Sequence, residues 1–158
     1  MTDVFLHPGE FRFAETGTVL ATLLGSCVAV SLWHPGRRIG GLCHFMLPGR
    51  SGDWPQAAAR PDGRFAEDAF ALFGRELART GTRPPQYHAK IFGGAAQLLA
   101  DGVAAANVRA GLALLERHGF TLAARDVGGT GARVLRFDLA TGDVWVRRAG
   151  RLDLGVAS

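Results

Sequence analysis

The chain has 158 residues, of which 47% are hydrophobic and 20% charged, a balance that is typical of a globular protein. This length corresponds to a single domain, and we expect residues 1–158 to form it. No apolar run reaches the roughly 20 residues of a membrane-spanning helix, and the N-terminal residues lack the basic start and long apolar centre of a signal peptide. These features argue against membrane insertion and predict a cytoplasmic protein.

The net charge of +4 and the isoelectric point of 10.0 raise the question of nucleic-acid binding. The positive charge comes almost wholly from arginine, because Lys90 is the only lysine. The arginines are scattered, and no predicted helix carries a basic stripe with interleaved aromatic residues. We therefore expect no nucleic-acid partner, although a mildly basic surface favours encounter with an acidic protein.

The first part of the chain predicts strands that are separated by turns. Residues 4–13 indicate an edge strand and a turn that packs under the core. Two apolar runs follow, Val19 to Leu24 and Val28 to Trp33, with Gly25 between them. They read either as two strands or as a strand and the start of a buried helix. After a turn, the chain returns as a further apolar run over residues 39–47.

A Gly- and Pro-rich loop is predicted over residues 48–63, directly after this run, where it would form the rim of a groove. Its Trp54 is either exposed for partner contact or tucked against the domain. A helix from Arg64 to Arg79 is expected next, with Asp62 as its N-terminal cap and Gly81 at its end.

A second helix is predicted from Ala104 to His118, and Gly119 ends it. Val108, Leu112 and Leu115 recur at helical spacing and are expected to mark its buried face.

The remaining runs predict further strands, namely Tyr87 to Phe92, Phe120 to Val127, Val134 to Asp138 and Val144 to Arg148. The glycine-rich residues 128–131 lack the Lys and Ser/Thr of a phosphate-binding loop, so a tight backbone approach or a hairpin is favoured over a nucleotide site. Residues 150–158 are expected to be a weakly held tail. Many strands with two longer helices predict a single α/β or α+β domain.

A cysteine and a histidine stand out as candidates for chemistry. If the runs after Cys27 and around His44 pair as strands, the imidazole returns beside the thiol. Such a pair can make Cys27 a nucleophile, held partly as thiolate, and His44 its general base and acid. Backbone N–H groups in the Gly25-Ser26 turn could then stabilise an oxyanion. The alternative is that Cys27 is a small core residue and His44 a buried imidazole with satisfied hydrogen bonds.

Cys43 precedes the histidine, and on a strand it would face away from His44. We therefore expect Cys43 in the core, and the same geometry argues against a metal site that combines it with Cys27 and His44. Two cysteines are too few for a disulfide framework, so both are expected to be reduced. We predict no cofactor.

Short motifs occur along the whole chain in an order that one family shares. They are Leu-Gly-Ser-Cys-Val-Ala-Val at 24–30, Gly-Gly-Leu-Cys-His-Phe-Met-Leu-Pro at 40–48, Ala-Lys-Ile-Phe-Gly-Gly-Ala at 89–95, Asn107-Val108, Asp126-Val-Gly-Gly129 and Thr141-Gly142. Together they resemble the chemoreceptor glutamine deamidase family, CheD.

The resemblance implies layered mixed β-sheet with two main helices packed on one side, as in cysteine hydrolases. It also implies a protein-glutamine glutaminase, an amidohydrolase that converts glutamines of methyl-accepting chemoreceptors to glutamate in chemotaxis adaptation. Cys27 would carry the thioester, and His44 would move the protons. A chemotaxis phosphatase of the CheC type is an implied partner.

The third residue that the resemblance implies is a threonine just upstream of the Gly-Ser-Cys, which orients the histidine. Thr22 is the only candidate here between Val19 and Cys27. In some members the threonine lies one position earlier, where this chain has Ala21, and one residue along a strand reverses the side of the sheet. Either the local alignment shifts, or Thr22 acts from another angle, or the orienting residue is replaced.

Two other functions remain open. A binding module would keep the fold and dock to receptors or to a phosphatase with little turnover. A cysteine peptidase of the papain type shares the local Gly-Ser-Cys, but the flanking cysteine and aromatic residue of that signature are missing, with Leu24 and Val28 nearby instead.

Overall fold

The described chain contains ten strands, which are divided between two mixed sheets. The computed structural model describes residues 1–50, 60–96 and 102–148, together with the backbone of residues 156–157. The expected tail from residue 150 and the expected position of Trp54 lie outside the described residues, apart from that short piece of backbone.

Sheet 1 contains five of the described strands, numbered in chain order: β1 Thr2–Leu6, β3 Thr18–Leu24, β8 Arg133–Asp138, β9 Val144–Arg148 and β10 Val156–Ala157. Their spatial order is β1-β3-β8-β9-β10, and only β1 and β3 run parallel.

Sheet 2 contains the other five: β2 Phe11–Glu15, β4 Val28–His34, β5 Ile39–Phe45, β6 His88–Gly93 and β7 Thr121–Val127. Their spatial order is β2-β5-β4-β6-β7, and only β6 and β7 run parallel. The two apolar runs on either side of Gly25 are therefore both strands, and they belong to different sheets.

Two helices, α1 Ala66–Thr80 and α2 Val103–Arg117, pack on the face of sheet 2 that points away from sheet 1. A short 3-10 helix, Pro84–Gln86, precedes β6. Gly81 ends α1 in the left-handed conformation, with φ at 68°, as its position predicts. None of the helices among the described residues combines the length and hydropathy that a membrane crossing needs.

The alternation of side chains along sheet 2 divides the core into two layers. One set of positions, including Val30, Cys43 and Phe45, packs against the helices. The alternate set, including Ala29 and Leu42, packs against sheet 1. The order of layers is thus sheet, sheet, helices, in one compact domain, and the predicted fold class is confirmed.

The predicted cap of the first helix is wrong. Asp62 accepts hydrogen bonds from the backbone and side chain of Arg64, whereas the N-terminal cap of α1 is Phe65, in an extended conformation. The delay has a tertiary cause. The chain around Phe65 forms a parallel bridge with Leu47, and Ala66 N–H donates to the Leu47 carbonyl, so the helix begins only after this pairing.

Two other local predictions need correction. Residues 4–13 form two strands in different sheets, not one edge strand, because the turn at residues 7–10 carries the chain from sheet 1 to sheet 2. On α2, Leu115 is buried as expected, but Val108 and Leu112 are only partly buried. The buried face is centred instead on small and polar residues, Ala104, Asn107 and Gly111.

Three connections between the sheets meet at one end of the molecule. They are residues 7–10 between β1 and β2, residues 25–27 between β3 and β4, and residues 128–132 between β7 and β8. The strand registers place their ends together, since Leu6 pairs with Thr22 and Leu24 pairs with Arg133. The Gly-Ser-Cys motif is therefore a crossing from one sheet to the other.

The layered core predicts a contrast between two identical substitutions. Phe73 is 0% exposed between α1 and sheet 2, whereas Phe5 is 49% exposed on the outer side of sheet 1. We expect Phe73→Ala to lower the free energy of unfolding by about 3–5 kcal/mol, and Phe5→Ala by about 1 kcal/mol or less. Urea denaturation of both variants measures the difference, and equal losses would contradict the assignment of the core.

Candidate functional site

The Gly25-Ser26-Cys27 crossing is held by its three carbonyl groups. Ala95 N–H donates to the Gly25 carbonyl at 2.9 Å, and Gly94 N–H donates to the Cys27 carbonyl at 2.8 Å. Between them, the Asn107 side-chain Nδ2 donates to the Ser26 carbonyl at 3.1 Å. All three carbonyls of the crossing are thus turned towards the end of β6 and towards α2.

This anchoring decides where the amide hydrogens point. The described peptide bonds are all trans, so the N–H of each peptide unit points opposite to its C=O. Because the Gly25 and Ser26 carbonyls point inward, the N–H groups of Ser26 and Cys27 point the other way. Among the hydrogen bonds of the described residues, none uses either of these N–H groups as a donor.

His44 lies on β5 opposite Ala29 of β4, and its side chain enters the layer between the two sheets. Cys27 packs against the same inter-sheet cluster, so the thiol and the imidazole are on one side of sheet 2. Cys43, one residue earlier on β5, faces the helices instead. Burial there raises the pKa of the Cys43 thiol to about 12, in agreement with its expected place in the core.

Thr22 connects the two sheets through its hydroxyl group. Thr22 Oγ1 donates to the Leu6 carbonyl at 2.8 Å and lies 2.7 Å from Nδ1 of His44. The hydroxyl has one hydrogen, and a carbonyl can only accept. The hydroxyl oxygen therefore accepts from Nδ1–H, which places the imidazole proton on Nδ1 and the lone pair on Nε2.

The neighbouring position could not make this contact. Thr22 is buried in the inter-sheet layer, while Ala21 is on the opposite, outer side of β3. The contact that an orienting role requires is therefore made by Thr22. The residue at position 21 faces the other side of the strand and cannot make it in this chain.

Burial keeps the His44 imidazole neutral at physiological pH. Its side chain is 1% exposed, and this burial is the main reason that its pKa falls to about 4. The negative charge of Glu10 opposes the decrease in the pKa, and His7 adds to it. Nε2 is buried and accepts no hydrogen bond from any described residue, so its lone pair is available as a base.

The expected partial thiolate at Cys27 is not supported. Partial burial raises the pKa of the Cys27 thiol, and a hydrogen bond from the Ser26 hydroxyl offsets the increase only in part. The described hydrogen bonds do not join the sulfur to Nε2 of His44. At rest the pair is thus a neutral thiol and a neutral imidazole, because removing both groups from water disfavours their charged forms.

The glycine-rich residues 128–131 make the tight backbone approach that their sequence predicts. Gly128 N–H donates to the Gly93 carbonyl at 2.9 Å, and Ala96 N–H donates to the Gly129 carbonyl at 2.8 Å. The buried Arg133 guanidinium donates to the Gly128 carbonyl and forms an ion pair with Asp126 at 3.2 Å. This loop therefore supports the end of β6, which in turn supports the crossing at Cys27.

Sequence reasoning missed two of these supporting residues. They are Asn107 and Arg133, which the apolar pattern does not predict, and both are almost fully buried. The one signal for Asn107 in the sequence is that a single asparagine lies inside a predicted helix, at a position that the apolar pattern does not explain. Within the described ranges, no three His, Cys, Asp or Glu side chains form a group that could hold a metal ion.

Comparisons with known proteins identify the family to which the chain belongs. A family model described as CheD chemotactic sensory transduction matches residues 46–148. A protein of Dechloromonas aromatica (strain RCB), named probable chemoreceptor glutamine deamidase CheD 3, is 48% identical over 149 residues, which cover 91% of this chain and 86% of that protein. A protein of Pseudomonas fluorescens (strain SBW25), named probable chemoreceptor glutamine deamidase CheD, is 47% identical over 153 residues, covering 92% of this chain and 84% of its own.

The chain belongs to the CheD family. The matched part of the family model begins at Met46, after the crossing and after His44. The alignments with the relatives extend further, because the uncovered tenth of the chain is shorter than the stretch that precedes Thr22. The aligned range therefore spans positions 22, 27 and 44.

The neutral state of the pair predicts how the thiols react. We expect iodoacetamide to label Cys27 and not Cys43 in the folded protein, because Cys43 is fully buried with its pKa raised to about 12. Because the pKa of Cys27 is also raised, the labelling rate should keep rising with pH through neutrality and above it, since only the thiolate is alkylated.

Mass spectrometry of peptides after timed labelling measures both rates, with Cys27→Ala as the control for residual labelling. A rate that is already at its plateau at pH 6–7 would contradict the neutral pair and indicate a preformed thiolate and imidazolium.

Proposed function

We propose that this chain is a chemoreceptor glutamine deamidase, which hydrolyses glutamine side chains of methyl-accepting chemoreceptors to glutamate and acts in the cytoplasm in chemotaxis adaptation. The names of its relatives support this activity. The observation that carries the proposal is the lone pair on Nε2 of His44, directed by Thr22 into the same layer against which Cys27 packs.

In the first half of the reaction, Nε2 of His44 takes the proton of the Cys27 thiol, and the sulfur attacks the carbonyl carbon of the glutamine side chain. The carbonyl oxygen becomes an oxyanion, which the outward N–H groups of Ser26 and Cys27 are directed to stabilise. The C–N bond then breaks, the imidazolium of His44 gives its proton to the leaving nitrogen, and ammonia departs. A thioester remains on Cys27.

In the second half, Nε2 of His44 takes a proton from a water molecule, and the resulting hydroxide attacks the thioester carbon. The C–S bond breaks, glutamate is released, and the imidazolium returns its proton to the sulfur. Thr22 keeps the same orientation of the ring in both halves, since the proton on Nδ1 stays with the threonine oxygen.

A second function is a binding module that docks to receptors without efficient turnover. The missing hydrogen bond between the Cys27 sulfur and Nε2 of His44 favours it. We also propose a chemotaxis phosphatase of the CheC type as a regulatory partner, on the family resemblance alone. A papain-type peptidase has less support, because the neutral pair differs from the preformed thiolate and imidazolium of that class.

The deamidase activity can be tested with purified chain and a receptor cytoplasmic fragment. We expect the wild-type chain to release ammonia and to convert specific glutamines to glutamate, detected as a mass increase in receptor peptides. Cys27→Ala should abolish both signals, because the thioester cannot form. Cys43→Ala is the matched control and should retain activity, since Cys43 faces the helices.

Receptor binding by the wild-type chain without a signal above Cys27→Ala would favour the binding module. Shortened receptor chains would favour the peptidase.

The role of Thr22 has a separate test. We expect Thr22→Val, which keeps the shape but removes the hydroxyl, to lower kcat by about ten- to a hundredfold while KM changes little. This loss is part of the hundred- to ten-thousandfold that a positioned proton-transfer group supplies. Steady-state kinetics of ammonia release measures it.

Thr18→Val is the control, because Thr18 lies on the same strand and face about 13 Å away. An unchanged kcat in Thr22→Val would show that the hydroxyl does not orient the ring.

A further inference from the structure

Asn107 is a buried polar residue that the mechanism above does not use. It lies in the second turn of α2 and is 0% exposed. Its Nδ2 donates to two carbonyl groups, that of Ser26 at 3.1 Å and that of Met46 at 2.9 Å. The orientation of the amide follows from these partners, because carbonyl oxygens accept and only the NH2 end can donate.

The two acceptors belong to the two segments that carry the candidate reacting groups. Ser26 precedes Cys27, and Met46 follows His44 by two residues. The pairing of β4 with β5 ends at Val28 and Phe45, so the two segments separate just beyond that pair. Asn107 donates one hydrogen bond to each segment at the place where the two strands no longer pair through their backbones.

The helix comes close enough to do this because of glycine. A side chain at Gly94 would meet Val108 of α2 at 2.3 Å, and one at Gly111 would meet Ile91 at 2.7 Å. Both glycines thus permit the helix to lie directly on sheet 2. Without them, an amide as short as that of asparagine would not reach the Ser26 carbonyl.

We propose that Asn107 is a positioning residue for the oxyanion site: by holding the Ser26 carbonyl inward, it holds the Cys27 N–H outward, where an oxyanion forms. The proposal rests on the proposed function only in its choice of substrate, since any acyl transfer to Cys27 passes through the same oxyanion. If Nδ2 is removed, the Ser26 carbonyl loses its partner while buried. The peptide unit then rotates towards water, and the Cys27 N–H turns with it.

This role differs from one that acts on the thiol. Alkylation by iodoacetamide displaces iodide at a saturated carbon and forms no oxyanion. Acetylation by p-nitrophenyl acetate proceeds through a tetrahedral oxyanion and releases p-nitrophenolate. The ratio of the two rates at Cys27 therefore reports the oxyanion site alone, because changes in the pKa or access of the sulfur affect both reactions.

The experiment compares this ratio in wild type, Asn107→Leu and Asn107→Ser. Leucine has a shape similar to that of asparagine but no hydrogen-bond donor. Serine is too short to reach both carbonyls, and it is small and polar, so it provides a second variant if the leucine variant does not fold. We expect both variants to lower acetylation by about a hundredfold, the lower end of what the loss of one oxyanion donor costs. Alkylation should change by about twofold or less. On the receptor fragment, kcat should fall by a similar factor with KM nearly unchanged.

Leu114→Ala is the matched control, because it loosens the same helix through an apolar contact. We expect it to lower the melting temperature without changing the ratio. Equal decreases in both rates in the Asn107 variants, or no decrease in acetylation, would overturn the proposal. The proposal would also be overturned if the ratio of acetylation to alkylation in the wild-type chain were no higher than in a free cysteine peptide. Failure of receptor deamidation with a normal wild-type ratio would count against the proposed substrate and not against Asn107.

Discussion

The hydrogen bond between Thr22 and His44 is the contact on which the rest of the site depends. It links sheet 1 to sheet 2, because β3 supplies the hydroxyl and β5 the imidazole. The Leu6 carbonyl uses the single hydroxyl hydrogen, and this leaves the oxygen as an acceptor for Nδ1–H. A structural contact between sheets and the choice of tautomer are thus the same interaction, so the packing that stabilises the fold also fixes the proton on Nδ1 and leaves the lone pair on Nε2.

Burial has a cost and a benefit at this site. It disfavours charge on both the Cys27 thiol and the His44 imidazole, so the resting pair is neutral. The same low-polarity surroundings strengthen hydrogen bonds to an oxyanion. In the proposed reaction, charge develops only when a substrate carbonyl occupies the crossing, where the N–H groups of Ser26 and Cys27 would face it.

Local sequence patterns predicted the elements well where apolar spacing was regular. The strands after Gly25, the two helices and the hairpin near Thr141 follow from alternation, helical period and glycine position, which act within a few residues. Asp62 failed as a helix cap because a tertiary bridge between Leu47 and Phe65 delayed the helix start. The prediction of the buried face of α2 from apolar spacing was wrong for Val108 and Leu112. The helix lies close to sheet 2 through the small residue Gly111 and the polar residue Asn107, which an apolar pattern does not reveal.

The sequence alone determined which residue types were available. They are a thiol after a Gly-Ser turn, an imidazole on the second apolar run after that thiol, and a threonine upstream of the turn. It also placed Cys43 on the opposite side from His44, because alternation along a strand is a local property. Only the tertiary structure decided that Thr22 and not position 21 faces the imidazole, that the pair is neutral, and that Asn107 donates to the Ser26 carbonyl. These depend on the stacking of two sheets and a helix, which brings together residues that are far apart in the chain and sets how much water each one meets.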